Sequence, residues 1–460
     1  MIREEEDFRE IPEDGIIIGL DLNDDLTFVS FCGRRNTEVT TLSASDDEER
    51  FGIPTCIGYD RQEDRYVFGA VAAEGEPPRI EKYTNLLSAV LTEDEDEDEE
   101  EEIEYLDEGD EEEDAGVIAE SEPEDTNTES TAASDRLSRF VTHVVGLASA
   151  VGGGAPGAVF IALDHLDRGI ISRLDEVFKK LREEIPLVRY VSRQECFFYY
   201  TLNQPVELWR QSVLLIHYSD REFLTDRLSI NRNSSPQVVR IEEKYFPEML
   251  PFDTDDPEKM DLRLVSLLEK EGMGKVTIHS DSISSVYLSG AYMESDWKRG
   301  TLKYLCSGRR VFQGLNLYTK GACYAAREAV DEGFISRNYL LVSTDTLKYN
   351  IGLRMISDGA EIIENLVDAG ENWYEVSASK EVYLGADREI VLVLKDMGGE
   401  GERNVLLRLD GFPERPPRAM RIRLELYMKS ARILVARIQD VGFGEIFLSS
   451  GMQLREEIGV

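Results

Sequence analysis

The sequence predicts a mixed α/β body followed by an all-β sandwich, with a disordered acidic insertion inside the body. Apolar runs typical of buried strands alternate with helical patterns up to about residue 334. Beyond residue 337 the chain holds short strand-like runs separated by Gly, Asp and Pro. Residues 93–135 contain 24 Asp or Glu and no Lys or Arg. These three observations define the fold class.

Two domains are expected because a chain of 460 residues exceeds what one hydrophobic core usually supports. We assign residues 1–337 to the body and residues 338–460 to the sandwich. The insertion is assigned to residues 92–135, where like charges repel and few apolar groups offset the cost of ordering the chain. It is either a solvated surface loop or an acidic segment that binds a basic partner.

In the body, residues 15–22 form an apolar run fit for a buried strand, and residues 26–31 form another. The polar residues Asn23-Asp24-Asp25 between them predict a hairpin. Further buried strands are predicted at 159–163, 212–216 and 286–290, and apolar residues between 170 and 181 share one helical face. Asp164-His165 precedes that helix without a nucleophile at a recognisable spacing, so a capping or turn role is preferred.

In the sandwich, helical periodicity is lacking and seven short strands are predicted. They lie at 339–343, 349–356, 373–376, 389–394, 405–409, 421–426 and 433–438.

Charge and composition exclude several classes of protein. The net charge of −41 repels nucleic acid and anionic membrane surfaces, so neither is expected as a partner. No apolar run is long enough to cross a bilayer, and the acidic start does not resemble a secretory signal. The five cysteines are far apart without a Cys-x-x-Cys pair, which predicts reduced thiols and a cytoplasmic protein.

The order of the elements resembles the seventy-kilodalton heat-shock chaperones over nearly the whole chain. In the body the resemblance rests on a first strand with its aspartate, the next strand, two connecting helices and a glycine turn that holds adenosine. The matching segments are Ile18-Gly19-Leu20-Asp21-Leu22, residues 51–59, Arg193-Gln194-Glu195-Cys196, residues 317–326 and Tyr287-Leu288-Ser289-Gly290-Ala291.

The C-terminal part is also similar to this family. Leu340-Leu341-Val342 resembles the apolar interdomain linker, and Asn350-Ile351-Gly352-Leu353 resembles the strand that follows it. Residues 407–417 and 433–440 resemble late segments of the peptide-binding sandwich. We expect the family's helical lid to be absent.

The resemblance implies an actin-like (ribonuclease-H-like), two-lobed nucleotide-binding domain that takes ATP or ADP with Mg²⁺. It also implies that the sandwich grips protein or peptide clients by strand-type hydrogen bonds. On the matching positions, Asp21 and Glu195 would be the catalytic carboxylates, and Asp21 would face the metal. The implied nucleotide-binding residues are Asn23, Asp24, Asp25, Ser219, Asp220, Arg221, Ser289, Gly290, Ala291 and Gly321.

Both phosphate-binding turns depart from the family pattern. Glycine-rich turns are needed there because backbone N–H groups must approach the anion closely. The first turn has Asn23-Asp24-Asp25 in place of Gly-Thr-Thr, and the second, at residues 217–222, has lost its aspartate and its three glycines. ATP hydrolysis is therefore not the expected activity.

Several interpretations remain open. The two turns have drifted, or Arg221 pairs across the cleft with Asp24 or Asp25 and replaces the nucleotide, or Arg221 contacts a phosphate directly. For the whole chain, a client-binding chaperone-like protein with a degenerate nucleotide site is preferred. The alternatives are a working ATPase with unusual phosphate loops and an actin-like structural or scaffold protein.

Overall fold

The computed structural model describes residues 11–36, 38–43, 51–92, 126–273, 282–314, 316–331, 333–357, 359–385, 388–397 and 401–460. These residues form a mixed α/β body and a β-sandwich, as the sequence predicts.

The strands of the body are β1 (Ile16–Asp21), β2 (Leu26–Gly33), β3 (Thr40–Thr41), β4 (Ile53–Pro54), β5 (Ile57–Asp60), β6 (Arg65–Phe68), β7 (Ile80–Tyr83), β8 (Pro156–Leu163), β9 (Leu187–Ser192), β10 (Ser212–Tyr218), β11 (Phe223–Asn231), β12 (Gln237–Tyr245), β13 (Ile283–Ser289), β14 (Arg310–Gln313) and β15 (Tyr339–Val342). Its helices are α1 (Ala70–Glu74), α2 (Leu86–Leu91), α3 (Thr126–Gly152), α4 (Arg168–Val177), α5 (Lys179–Glu184), α6 (Arg193–Leu202), α7 (Pro257–Lys270), α8 (Arg299–Leu305), α9 (Leu317–Asp331) and α10 (Phe334–Asn338).

Two sheets of the body share one topology. The first has the order β3-β2-β1-β8-β9, and the second contains the order β12-β11-β10-β13-β14. In each, a strand forms an antiparallel hairpin with the next strand and then pairs in parallel with a strand that follows a helix. The carboxyl ends of the parallel strands lie at one edge, which is where open α/β sheets place their binding crevices.

The predicted first hairpin is confirmed, with Ile18 of β1 opposite Phe31 of β2. Continuous burial along β1 explains its apolar run, because α9 covers one face of the sheet and α3 the other. Contact with α9 is close: a Cβ on Gly19 would lie 2.3 Å from the Thr319 carbonyl oxygen.

The sandwich consists of two four-stranded antiparallel sheets, with the orders β17-β16-β19-β20 and β18-β21-β22-β23. Its strands are β16 (Tyr349–Ser357), β17 (Ala360–Val367), β18 (Ser377–Tyr383), β19 (Glu389–Asp396), β20 (Glu402–Arg408), β21 (Arg421–Ser430), β22 (Ile433–Asp440) and β23 (Gln453–Gly459). Alternating burial along β21 is typical of a strand with one face on a core.

We call the first sheet of the body with its helices the first lobe, and the second sheet with its helices the second lobe. The sandwich packs on the first lobe, and buried residues of both contribute to one hydrophobic cluster. Arg168, at the start of α4, donates to the Val376 carbonyl and stands 5.3 Å from the Tyr427 ring centroid. The body and the sandwich are therefore packed against each other, with a shared hydrophobic cluster.

The domain boundary differs from the expected position between residues 337 and 338. Leu340-Leu341-Val342, expected as a linker, forms β15 and pairs in parallel with Val238–Arg240 of β12. These apolar residues complete the second sheet, so the sandwich begins only at β16, near residue 349. Trp373–Glu375, expected as a strand, forms a single 3₁₀ turn that buries Trp373 and Tyr374 against the body.

Part of the predicted disordered insertion is helical. Residues 126–135 belong to α3, where an apolar stripe begins with Ala133 and Leu137 and gives the helix a face to bury. Residues 93–125 lie outside the described residues. Among the described helices, none is long and apolar enough to cross a bilayer.

Candidate functional site

The candidate site is the crevice where the strand ends of the two lobes meet. Its first wall is the β1–β2 turn, whose shape depends on its own side chains. The Asn23 Oδ1 atom accepts hydrogen bonds from the N–H groups of Asp25 (3.0 Å) and Leu26 (2.9 Å). Such an Asx turn replaces the glycine-rich geometry that the resemblance led us to expect.

Asp24 is buried, and its hydrogen-bond partners belong to the first lobe. Its carboxylate accepts from the N–H groups of Leu87 (2.9 Å) and Ser88 (3.1 Å) and from the Ser88 hydroxyl. These contacts tie the turn to the start of α2. The interpretation in which Arg221 pairs with Asp24 does not hold in this structure, because both oxygens of Asp24 accept hydrogen bonds within the first lobe. Asp25, the other candidate partner of Arg221, is exposed.

The second wall is the β10–β11 turn. Ser219 N–H donates to the Glu222 carbonyl (2.9 Å), and Glu222 N–H donates to the Ser219 hydroxyl (3.2 Å). Asp220 and Arg221 are exposed at the tip of this turn. The residue that enters the crevice is Glu222, which the sequence analysis did not select.

Arg193 joins the first lobe to the second wall. It is the first residue of α6, directly after β9, where the Ser192 hydroxyl caps the helix. One terminal nitrogen lies 2.5 Å from Asp164 Oδ1, at the end of β8, and the other lies 2.7 Å from Glu222 Oε1. The Arg193 side chain is only 16% exposed and stands 5.0 Å from the Tyr318 ring centroid. We call this set of Arg193, Asp164 and Glu222 the Arg193 bridge.

Electrostatics hold the bridge charged. Burial alone would lower the pKa of Arg193, but the neighbouring Asp164, Tyr318, Asp21 and Glu222 together raise it above its usual value. Burial raises the pKa of Glu222, while Arg193 opposes that shift. Loss of Arg193 would leave Asp164 and Glu222 facing each other without the cation that both of them bind.

Asp21 lies beside this bridge, at the end of β1. It is 4% exposed, and its Oδ1 atom has no hydrogen-bond partner within the described part of the chain. Burial raises the pKa of Asp21 to about 7, against the opposing charge of Arg193. A carboxyl of this kind is half-protonated near neutral pH.

His217, in β10, completes this side of the crevice. Burial and the charge of Arg193 lower the pKa of His217 well below its ordinary value, so the imidazole is neutral. The ring lies 3.6 Å from Glu222 Oε1 through Nε2 and 3.5 Å from the Tyr318 hydroxyl through Nδ1.

Glu195, the second expected catalytic carboxylate, faces the junction with the sandwich. Burial, followed by the charges of Glu375 and Asp345, raises its pKa to about 8. Its Oε2 atom is buried without a hydrogen-bond partner among the described residues. The neighbours of Glu195 therefore differ from those of Asp21, and the two do not form a paired acid and base.

Gln194 connects the same junction to the second lobe. Its amide nitrogen donates to Asp226 (3.0 Å) and Glu243 (3.1 Å), and its oxygen accepts from the Thr344 N–H (3.1 Å) and hydroxyl (3.0 Å). Burial raises the pKa of Asp226 to about 8. One side chain thus links α6, the second sheet and the segment that enters the sandwich.

The remaining predicted residues have packing roles in this structure. Gly290 follows buried Ser289 with a φ of 92°, and a Cβ there would lie 2.3 Å from the Tyr218 carbonyl oxygen. Ala291 is exposed and begins a 3₁₀ turn that ends with buried Met293. Gly321 lets α9 pack on α6, because a Cβ would lie 2.1 Å from the Cys196 carbonyl oxygen. Among the described residues, no group of three His, Cys, Asp or Glu side chains is placed to hold a metal ion.

Sequence reasoning missed the bridge for a structural reason. Arg193 and Asp164 are 29 positions apart and meet because β8 and β9 are parallel neighbours. A usable signal existed: each residue directly follows a predicted or actual buried strand, which places both at the same edge of the sheet. The helix-capping role expected of Asp164 belongs to Asp167, whose side chain accepts from the Ile170 N–H (2.8 Å).

Two family models match the chain, and both describe proteins without an assigned activity. Residues 116–344 match a model described as the C-terminal part of a family of unknown function (DUF5716). Residues 346–460 match a model described as a domain of unknown function (DUF8552). The two matches meet between β15 and β16, where the topology also divides the chain. The chain matches no curated protein.

Proposed function

We propose that this protein binds protein or peptide clients, and that its actin-like, heat-shock-chaperone-like body is closed by an internal arginine instead of a nucleotide. The repeated strand order of the two sheets supports the actin-like architecture, as do α6 and α9, which cross between the lobes. The sandwich that follows supports the chaperone-like arrangement. Its position after the second sheet agrees with the order of elements in the resemblance.

The observation that carries the proposal is the Arg193 bridge. A nucleotide closes such a crevice by bringing phosphate charge between two backbone turns that donate to it. Here the Arg193 cation is bound by one carboxylate from each lobe, Asp164 at 2.5 Å and Glu222 at 2.7 Å. In a nucleotide site the anion comes from the ligand, whereas here the protein supplies both the anions and the cation between them.

The crevice residues do not fit a triphosphate. A carboxylate about 4 Å from a phosphate oxygen repels it by roughly 1 kcal/mol in water and about 4 kcal/mol at an effective dielectric of 20. Asp164, Glu222 and Asp21 all approach Arg193, whose charge they already compensate. Binding of ATP or ADP with Mg²⁺ would have to displace this network, so we derive no catalytic step through a nucleotide.

The sandwich offers a surface for clients at the segment between β22 and β23. We call residues 441–452 the apical loop. Ile446 and Leu448 are 75% and 76% exposed, and Phe443 and Met452 are also exposed. Large apolar side chains grouped this way on a soluble protein mark interaction sites.

Hydrogen bonds from Arg415 and Asp440 hold the apical loop in its conformation. Arg415 binds Asp440 through two hydrogen bonds of 2.8 and 2.7 Å, and donates to the Leu448 carbonyl (2.8 Å). Asp440 also accepts from the N–H groups of Gly442 (3.0 Å) and Ser450 (2.8 Å). Burial alone would raise the pKa of Asp440, but these hydrogen bonds lower it to about 2. A preorganised loop loses less entropy on binding.

The test is client binding by the full chain, measured on a peptide array and then by fluorescence anisotropy of a bound peptide. The double variant Ile446→Ser, Leu448→Ser should weaken binding at least tenfold, because burying a large apolar side chain contributes roughly 1.5–3 kcal/mol. Leu262→Ser is the matched control, since Leu262 is 73% exposed on α7 of the body.

Unchanged affinity in the double variant would remove the apical loop from the proposal. An array without any bound peptide would refute client binding itself. A cytoplasmic location also belongs to this proposal, and the five free cysteines of the chain support it.

A further inference from the structure

A cleft between α2 and α3 has the chemistry to bind an acidic segment. Its volume is about 260 Å³, and it is lined by Lys82, Tyr83, Thr84, Leu86, Ala89, Ala133 and Arg136. Buried Leu86 and Ala133 give it an apolar floor. The two cations lie among its lining residues, so the cleft combines an apolar floor with positive charge.

The geometry of Arg136 suits a carboxylate ligand. Its guanidinium carbon lies 3.7 Å from the centroid of the Tyr83 ring, and this stacking holds the planar group, with its several N–H donors, at the cleft. Lys82 is exposed and donates to the Ala73 carbonyl (2.6 Å). Glu81, the nearest acid on β7, is engaged by Arg61 at 2.7 Å and by the Tyr83 hydroxyl at 2.6 Å.

The helices on the two sides of the cleft are the ones that bracket the acidic segment. α2 ends at Leu91, and α3 begins at Thr126. Residues 93–125 between them hold 22 Asp or Glu and no Lys or Arg. Within this run, Ile103, Tyr105 and Leu106 form one apolar group surrounded by carboxylates, in the sequence EEEEIEYLDEGD.

We propose that residues 103–106 of the acidic segment dock in the α2–α3 cleft of the same chain. Tyr105 would occupy the apolar floor, and flanking carboxylates would pair with Arg136 and Lys82. The chain is long enough, because Ile103 lies 12 positions after Leu91, a reach of about 40 Å at roughly 3.3–3.6 Å per residue. The six residues of α2 span only about 9 Å at 1.5 Å per residue.

Tethering makes a weak contact sufficient. A short tether gives an effective concentration on the order of 1 mM, so a motif of comparable dissociation constant is docked about half of the time. Exposed ion pairs are screened over about 10 Å at 0.1 M salt. Docking should therefore weaken as salt rises.

The experiment places the photocrosslinking residue benzoylphenylalanine at position 105 of the full chain. Irradiation followed by peptide mass spectrometry should give crosslinks to residues 82–89 and 133–136. Raising sodium chloride from 50 to 500 mM should lower the yield severalfold. Arg136→Glu should lower it at least fivefold.

Arg139→Glu is the matched control, because Arg139 makes the same charge change on α3, outside the cleft, where it pairs with Asp135. This variant should keep most of the crosslink. Crosslinks to other parts of the chain, crosslinks between chains in a mixture of light and heavy protein, or equal losses in the Arg136 and Arg139 variants would each overturn the proposal.

Discussion

Replacing Arg193 with glutamine tests the bridge between the lobes. The change removes the cation and keeps a side chain of similar polarity, leaving Asp164 and Glu222 to repel each other. Breaking a buried ion pair from one side costs about 3–5 kcal/mol. The side chains of Asp164 and Glu222 are 44% and 29% exposed, so water recovers part of that energy. We expect the free energy of unfolding of the body to fall by about 2–3 kcal/mol.

Hydrogen exchange is the suitable assay, since a chain with a body and a sandwich need not unfold in one step. Arg193→Gln should speed exchange in the first turn of α6 and in the β10–β11 turn by roughly 30- to 150-fold, which is the same 2–3 kcal/mol expressed as a rate. Amides of β21 and β22, in the sandwich, should change much less.

Arg221→Gln is the control, because Arg221 is exposed in the same turn as Glu222. A surface change of this kind alters stability by less than about 0.5 kcal/mol. Equal effects of the two variants, or unchanged exchange in Arg193→Gln, would refute the assignment of the bridge to Arg193.

Three further predictions concern the junction, the helix crossing and the apical loop. Burial raises the pKa of both Glu195 and Asp226 to about 8, so their protonated forms stabilise the fold, fully so below about pH 4. This contribution is lost as pH rises through 8, and the melting temperature should fall between pH 6 and pH 9. A melting temperature that rises over this range would contradict the prediction. Gly321→Ala should destabilise the body by about 1–3 kcal/mol in urea titrations, whereas Gly146→Ala, with open space around its Cβ, should be neutral or stabilising by up to about 1 kcal/mol. Asp440→Asn should cost about 3–5 kcal/mol and open the apical loop to proteolysis, and an unchanged cleavage pattern would show that Asp440 does not order the loop.

The sequence predicted the positions of helices and strands better than it predicted which strands pair with each other. The hairpin of β1 and β2 was foreseen because two apolar runs flank a short polar turn, and the core strands of the sandwich were found within a few residues of their bounds. Strands β17, β18 and β23 were missed because most of their side chains are exposed, so they lack an apolar pattern. β15 was recognised as an apolar run, but its pairing with β12 is a long-range contact that no local pattern encodes.

The candidate site shows the same limit. The first turn was predicted from the strand pattern, whereas Asp21 and the second turn were assigned from the family resemblance, which also showed that both turns lack the family's glycines. Which side chains fill the crevice depended on three-dimensional neighbours. Asp24 binds α2, and Arg193 makes the bridge between the lobes that one interpretation gave to Arg221. Local sequence identifies the edge where charged residues gather, and tertiary packing selects the pairs.

Calorimetric titration of the full chain with ATP and Mg²⁺, up to millimolar nucleotide, tests the central claim most directly. Because Arg193 already pairs with Asp164 of the first lobe and Glu222 of the second, we predict no heat beyond dilution. The melting temperature should likewise stay constant with added nucleotide. Saturable heat with a micromolar dissociation constant would contradict the account and return the crevice to a nucleotide site.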